Sequence, residues 1–177
     1  MPTPADAQIA EEQGRTALRF ERILDHSPER VFAALSARRE LDAWHPSPFE
    51  IEPTVGGVVA YARPGAAAPP VDGEVLEYDP PRLLAYTWFE DVLRWELHPH
   101  ERGCLLVLTH IFDDRLKAAR DAAGWHLCLD TLDASLDGTA PAPSQPEQHP
   151  PAGWSELNAE YQQRFAIAPE EATPPPQ

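Results

Sequence analysis

The chain has 177 residues, 42% of them hydrophobic, with 29 acidic against 14 basic side chains and a formal net charge of −15. That length is a prior for one domain with tails, and no apolar run approaches the ~20 residues of a membrane-spanning helix. The charge excludes more. Nucleic-acid binding sets cations against phosphates, an anionic lipid surface repels an acidic chain, and no basic run is longer than Arg38-Arg39.

Residues 1–14 are polar and rich in Pro, Ala and Glu, so a disordered tail is expected there. They show no basic n-region and no apolar h-region, which makes the cytoplasm the expected compartment. TALRFERILD (16–25) alternates apolar and polar residues as a first strand, with a break in the alternation at Ile23-Leu24. Ser27, Pro28 and Glu29 then supply a capping hydroxyl, a first-position proline and a first-turn acid. A short helix is predicted, with Val31, Phe32 and Leu35 inward. A second, 37–44, carries Leu41 and Trp44 and stops before Pro46 and Pro48.

Strand patterns follow at 48–55, 58–62, 71–79, 82–89, 92–99 and 104–112, with Gly56-Gly57 as a turn or bulge and 63–70 as a loop. In 92–99, Leu93, Trp95 and Leu97 share one face while Arg94, Glu96 and His98 share a solvated one. In 104–112 the inner face holds Leu106, Leu108, His110 and Phe112. From Asp113 to Gly138, apolar residues recur at Leu116, Ala119, Ala122 or Ala123, Trp125, Leu129, Leu132 and Leu136, one stripe of a long helix. Such a helix is roughly 36 Å long. It needs a large apolar partner, and only the strands offer one. Residues 139–153 are a Pro-rich linker, Trp154, Leu157, Tyr161 and Phe165 mark a terminal helix over 154–166, and 167–177 reads as a second disordered tail. Bunched strands with helices segregated at the ends predict an α+β domain over 15–138.

Several residue groups bear on chemistry. His110 and His126 are read either as polar groups orienting a ligand or moving a proton in an apolar hollow, or as one structural and one solvent-facing histidine. The His98-Pro99-His100 spacing suits metal ligation, but the proline, the nearby Gly103 turn and the lack of a third ligand predict no metal. Cys104 and Cys128 lack a neighbouring base signature and are expected to be inert free thiols. Asp130 and Asp133 read as solvent-face charges. No P-loop, G-x-S-x-G or G-x-G-x-x-G pattern calls for a cofactor. Five tryptophans in one small domain stand out. Trp88, Trp95 and Trp125 lie on three elements, as either a packed core or an aromatic-lined pocket requires, with Trp44 near the mouth.

The segments FERILDHSPERVFAAL (20–35) and ELDAWHP (40–46), the Gly56-Gly57 pair, PPRLLAYTW (80–88), the L-x-L-T-H run ending at His110 and GWHLCLDTL (124–132) occur in one order. In this the chain resembles the activator-of-heat-shock-protein-90-ATPase-like proteins of the START-related (SRPBCC) superfamily. WSELNAEY (154–161) resembles their terminal extension. The resemblance implies a helix-grip fold: a curved antiparallel sheet of about six to seven strands wrapped around the long helix, two short helices after the first strand, and a cavity between sheet and helix. Its members include lipid carriers, cyclases, small-molecule receptors and chaperone partners, so the fold does not choose an activity. The first expectation is a module holding a small hydrophobic or aromatic molecule, lined by Trp44, Tyr86, Trp88, Trp95, Leu108, His110, Trp125 and Leu129. The alternatives are a cyclase- or hydrolase-type enzyme using His110 with Tyr86 or Tyr61, and an interaction protein contacting a chaperone or a second copy of itself.

Overall fold

The computed structural model describes residues 7–61, 72–139 and 151–168. The expected loop at 63–70, most of the Pro-rich linker and the outer parts of both tails lie outside the described residues.

Eight antiparallel strands form one sheet. They are β1 (Gln8–Glu12), β2 (Arg15–Leu24), β3 (Phe49–Ile51), β4 (Val58–Tyr61), β5 (Gly73–Asp79), β6 (Leu83–Trp88), β7 (Asp91–His100) and β8 (Gly103–Phe112). The order across the sheet is β1-β2-β8-β7-β6-β5-β4-β3. The chain leaves β2 through α1 (Pro28–Ser36) and α2 (Arg38–Trp44), lands on the far edge, and meanders back until β8 pairs with β2. Then come a 3-10 turn (Arg115–Lys117), the long α3 (Ala118–Leu136) and α4 (Trp154–Phe165). This is the helix-grip arrangement with one strand more than expected.

The additional strand is β1, inside the segment expected to be a disordered tail. Gln8–Glu12 pairs register by register with Arg15–Arg19. Its polar composition hid it, because β1 gains its backbone bonds from a neighbour already fixed in the sheet and buries little surface of its own. Glu12 anchors it further by a two-pronged bond to Arg94, 2.9 and 3.2 Å, across the outer face.

The long helix is shorter at its start than its apolar stripe suggested. The Asp114 carboxylate accepts from the Leu116 N–H at 3.0 Å and caps the 3-10 turn, leaving Leu116 37% exposed. The stripe from Ala119 to Leu136 is buried as expected. Its other side meets α4, which buries Tyr161 and Phe165 against α3, and Ile167, placed by the sequence in the second tail, joins the same core. His126 is therefore buried, not solvent-facing: its Nδ1 lies 2.9 Å from the Tyr161 hydroxyl.

At the β7–β8 turn, Gly103 has a φ of +140°, and a Cβ there would stand 2.5 Å from the Leu24 carbonyl oxygen and 2.7 Å from the His26 amide. Both neighbours are backbone and cannot turn aside. Gly103→Ala is expected to cost at least about 2 kcal/mol through strain and overpacking. Urea denaturation checks this; a loss under about 0.5 kcal/mol would show that the β2 end yields freely.

Candidate functional site

Strand alternation aims one set of side chains at α3. Tyr86 lies opposite Leu93 across β6 and β7, and Trp95 and Leu93 lie opposite Leu108 and His110 across β7 and β8. Period-two geometry puts these on the concave face with Trp88, two residues beyond Tyr86. Trp125 comes down from the first half of α3. Trp44 ends α2, and His45 follows as its C-cap, with its N–H bonded to the Leu41 carbonyl. Pro46 then breaks the helix and turns the imidazole into the interior.

The rings meet edge to face. Trp125 lies with its centroid 5.4 Å from Trp88 and 5.7 Å from Trp95, and Trp44 lies 5.6 Å from Trp95. His45 sits among them, 5.3 Å from Phe49 and 5.8 Å from Trp125. Steep mutual angles at such distances suit the aromatic quadrupole. This end of the interior is thus occupied by packed rings.

Two hydrogen-bond chains run through the cluster. In the first, Trp125 Nε1–H donates to His110 Nδ1 at 3.1 Å. Indole nitrogen only donates, so Nδ1 carries no proton and Nε2–H donates to Asp91 Oδ2, 2.8 Å away. Asp121 brings a third ligand-type atom within 4.8 Å of those of Asp91 and His110. The tautomer argues against a cation there. A metal on Nε2 would move the ring's proton to Nδ1, head-on against the indole N–H.

In the second chain, the Ser47 backbone N–H donates to His45 Nδ1 at 3.0 Å. The proton of His45 is therefore on Nε2, aimed at the Tyr86 hydroxyl oxygen at 3.1 Å. Trp95 Nε1–H donates to the same oxygen at 3.2 Å. Burial lowers the His45 pKa to about 3 and raises that of Tyr86 well above its ordinary value, so both stay neutral at working pH.

Of the eight residues singled out from sequence, seven converge here: Trp44, Tyr86, Trp88, Trp95, Leu108, His110 and Trp125. Leu129, one turn further along α3, also borders a separate groove of about 670 Å³ beside the β2 edge, with Ile23, Leu24, Asp130 and Phe165. The expected pairing of His110 with a tyrosine is replaced by other partners. His110 bonds Asp91 and Trp125, Tyr86 bonds His45 and Trp95, and Tyr61 donates to the Thr87 carbonyl. His45 and Asp91 were not singled out. His45 is the C-cap residue of α2, where no periodicity assigns a direction, and its only signal was its place between Trp44 and Pro46. Asp91 opens β7 two residues before Leu93, so the strand alternation itself carried its signal. Burial pushes the thiols up, Cys104 to about 11 and Cys128 to about 12, which makes both poor nucleophiles. His98 and Pro99 lie exposed at the end of β7, past the last residue paired with β6. No helix among the described residues is long and apolar enough to cross a membrane.

Several solved structures share the fold. A conserved protein of unknown function from Enterococcus faecalis, EF2215, is 20% identical, with 90% of each chain covered and a TM-score of 0.71. CalU16 from Micromonospora echinospora is 18% identical over 90% of this chain and 96% of its own, TM-score 0.65. A protein from Rhodobacter sphaeroides is 26% identical over 75% of this chain and 98% of its own, TM-score 0.56. Among curated proteins none matches. The family model described as "Activator of Hsp90 ATPase homolog 1-like protein" matches residues 25–137, the span from the end of β2 to the end of α3, and the chain belongs to that family.

Proposed function

We propose that the protein is a binding module that takes a small apolar or aromatic molecule between the concave sheet and α3, admitted past Trp88 at the β6–β7 turn. One observation carries this reading: the Trp88 Nε1–H is buried without a hydrogen-bond partner among the described residues, while the ring itself is only partly covered. An unmade buried bond costs about 1–3 kcal/mol, and a native fold keeps one where something else supplies the partner. A ligand would enter by parting the rings that pack edge to face around Trp125, whose flat apolar surfaces would then line it. A fluorescence titration against a panel of lipids, steroids and polyketides tests the reading. Saturable change of the tryptophan emission with at least one class is expected; indifference to all of them overturns it.

A second reading, an activator-type interaction protein, is favoured by the groove beside β2. Its apolar floor and charged rim lie where β2 runs on past β1, with no partner for that edge among the described residues. The measurement is the turnover of a heat-shock-protein-90-type ATPase with and without this protein. Acceleration that Ile23→Asp abolishes supports it, and an unchanged rate removes it.

A further inference from the structure

We infer that the groove beside β2 takes an extended segment of a partner protein as an added strand, with two apolar residues between two basic ones. The inference rests on the second reading above, that this groove is an interaction surface, and names what fills it. It starts from the two hairpins that fix β2. Both turns have two residues, so Glu12–Arg15 and His100–Gly103 are mutually bonded pairs, and every second pair after them is bonded too. This turns the even residues of β8 toward β2 and the odd residues of β2 toward β1, and the register between β2 and β8 satisfies both at once. The pairing of β1 ends at Gln8 and Arg19. The N–H and C=O of Glu21 and Ile23 therefore point into the groove, with no backbone partner among the described residues. On such an edge, ladder bonds supply affinity and alternate side chains supply selectivity.

The side chains of an added strand would point alternately to the two sides of the sheet. Arg22 and Leu24 face inward, and α3 runs alongside them: Arg22 reaches Asp130 at 3.3 Å, and His26 Nε2 lies 2.8 Å from Asp137. Asp133 stands between those two contacts and borders the groove with Leu129 and Phe165. The inward positions of the added strand therefore meet an apolar surface opposite Arg22 and a carboxylate opposite Leu24. Asp130 and Glu21 already have their arginines, Arg22 and Arg19. Asp133 has no ion pair among the described residues. Desolvation, then the charge of Asp137, lifts its pKa above the ordinary value despite Arg22 and His26. A cation is what it lacks. On the outward side the residue opposite Glu21 faces an acid, and the one opposite Ile23 a branched apolar side chain that is 45% exposed. The net charge of −15 draws a basic segment from a distance and repels an acidic one. Against β2 from Leu24 back to Glu21, the pattern is basic, apolar, apolar, basic.

The experiment titrates the full chain with the hexapeptide acetyl-TRVLKT-amide, and with acetyl-TEVLET-amide as its acidic counterpart, by calorimetry at pH 7 and low salt. The basic peptide is expected to bind about tenfold or more tightly. Asp133→Asn should weaken it about threefold to tenfold and leave the acidic peptide no weaker. Backbone pairing is read from the peptide itself. A methyl on the valine amide nitrogen, which lies opposite Ile23 and faces β2, should abolish binding. The same methyl on the leucine, which faces away, should change the affinity by less than about threefold. Hydrogen exchange supplies a further readout on the unmodified protein: the Ile23 amide should exchange freely alone and slow about tenfold or more with the basic peptide. Protection of that amide before peptide is added means that the chain itself or a second copy already lies on the edge, and overturns the inference. Equal affinity for the two peptides, no binding by either, or equal effects of the two methyl groups overturns it as well. The ATPase measurement stands apart: peptide binding as expected beside an unchanged ATPase rate upholds the added strand and removes the activator reading alone.

Discussion

Replacing Trp125 by alanine is expected to cost about 3–5 kcal/mol of folding free energy, enough to unfold a large fraction of a marginal domain. The ring is 3% exposed and meets rings from β6, β7 and β8 together with that of His45 just past α2. Two of its neighbours cannot follow it into the space left, because Trp95 is bonded to Tyr86 and His45 to Tyr86 and the Ser47 amide. Trp125→Phe separates the two roles of the side chain. It keeps most of the ring and removes only the donor to His110, so its expected loss is about 1–2 kcal/mol. It also frees His110 Nδ1, and the tautomer that points Nε2–H at Asp91 should lose its lock. Urea denaturation gives the energies, and nitrogen shifts of His110 give the tautomer. A loss below about 1 kcal/mol for Trp125→Ala would mean that α3 does not rest on the sheet through this residue.

The architecture was legible because two periods dominate the chain. Alternation in 92–99 and 104–112 and the three-and-four spacing through Trp125, Leu129 and Leu132 each report a buried face directly, and β7, β8 and α3 carry those faces. What lacked a period was missed. β1 is mostly polar, with Ile9 alone packed against the core as a large apolar side chain, and owes its place to pairing with β2. Leu116 matched the helical stripe but fell on the 3-10 turn, where a different step per residue rotates it outward. His126 looked solvent-facing because its cover, Tyr161, is supplied by α4, thirty-five residues on. The site divides the same way. Trp88, Trp95, His110 and Trp125 could be placed facing one another from pattern alone. Who bonds whom could not: His45 sits past the end of α2, Asp91 is a lone acid at the first position of β7, and the tautomers of both inner histidines depend on a single backbone amide and a single indole.

His45 provides the clearest dependence on pH. In the folded chain it is neutral with a pKa near 3, set by burial and opposed only by the Ser47 amide bond, whereas unfolded histidine titrates near 6.5. Between those values the unfolded state holds a proton that the native state refuses. Stability is therefore complete above about pH 6.5 and falls as the pH drops, by about 1.4 kcal/mol per unit well inside the window. From pH 7 to pH 5 the share due to His45 comes to about 2 kcal/mol, and the loss continues toward pH 3. The group it faces, Tyr86, does not titrate in this range, since burial has moved it the other way. His45→Phe removes the titration while keeping a ring among Trp44, Phe49 and Trp125. At pH 7 the variant should be less stable than the parent, because Tyr86 loses one donor and the Ser47 amide its acceptor. On going to pH 5 it should lose about 2 kcal/mol less than the parent, so the two curves converge as the solution is acidified. Parallel curves would show that the imidazole takes up its proton in the folded chain too, and that the aromatic cage around it opens to water.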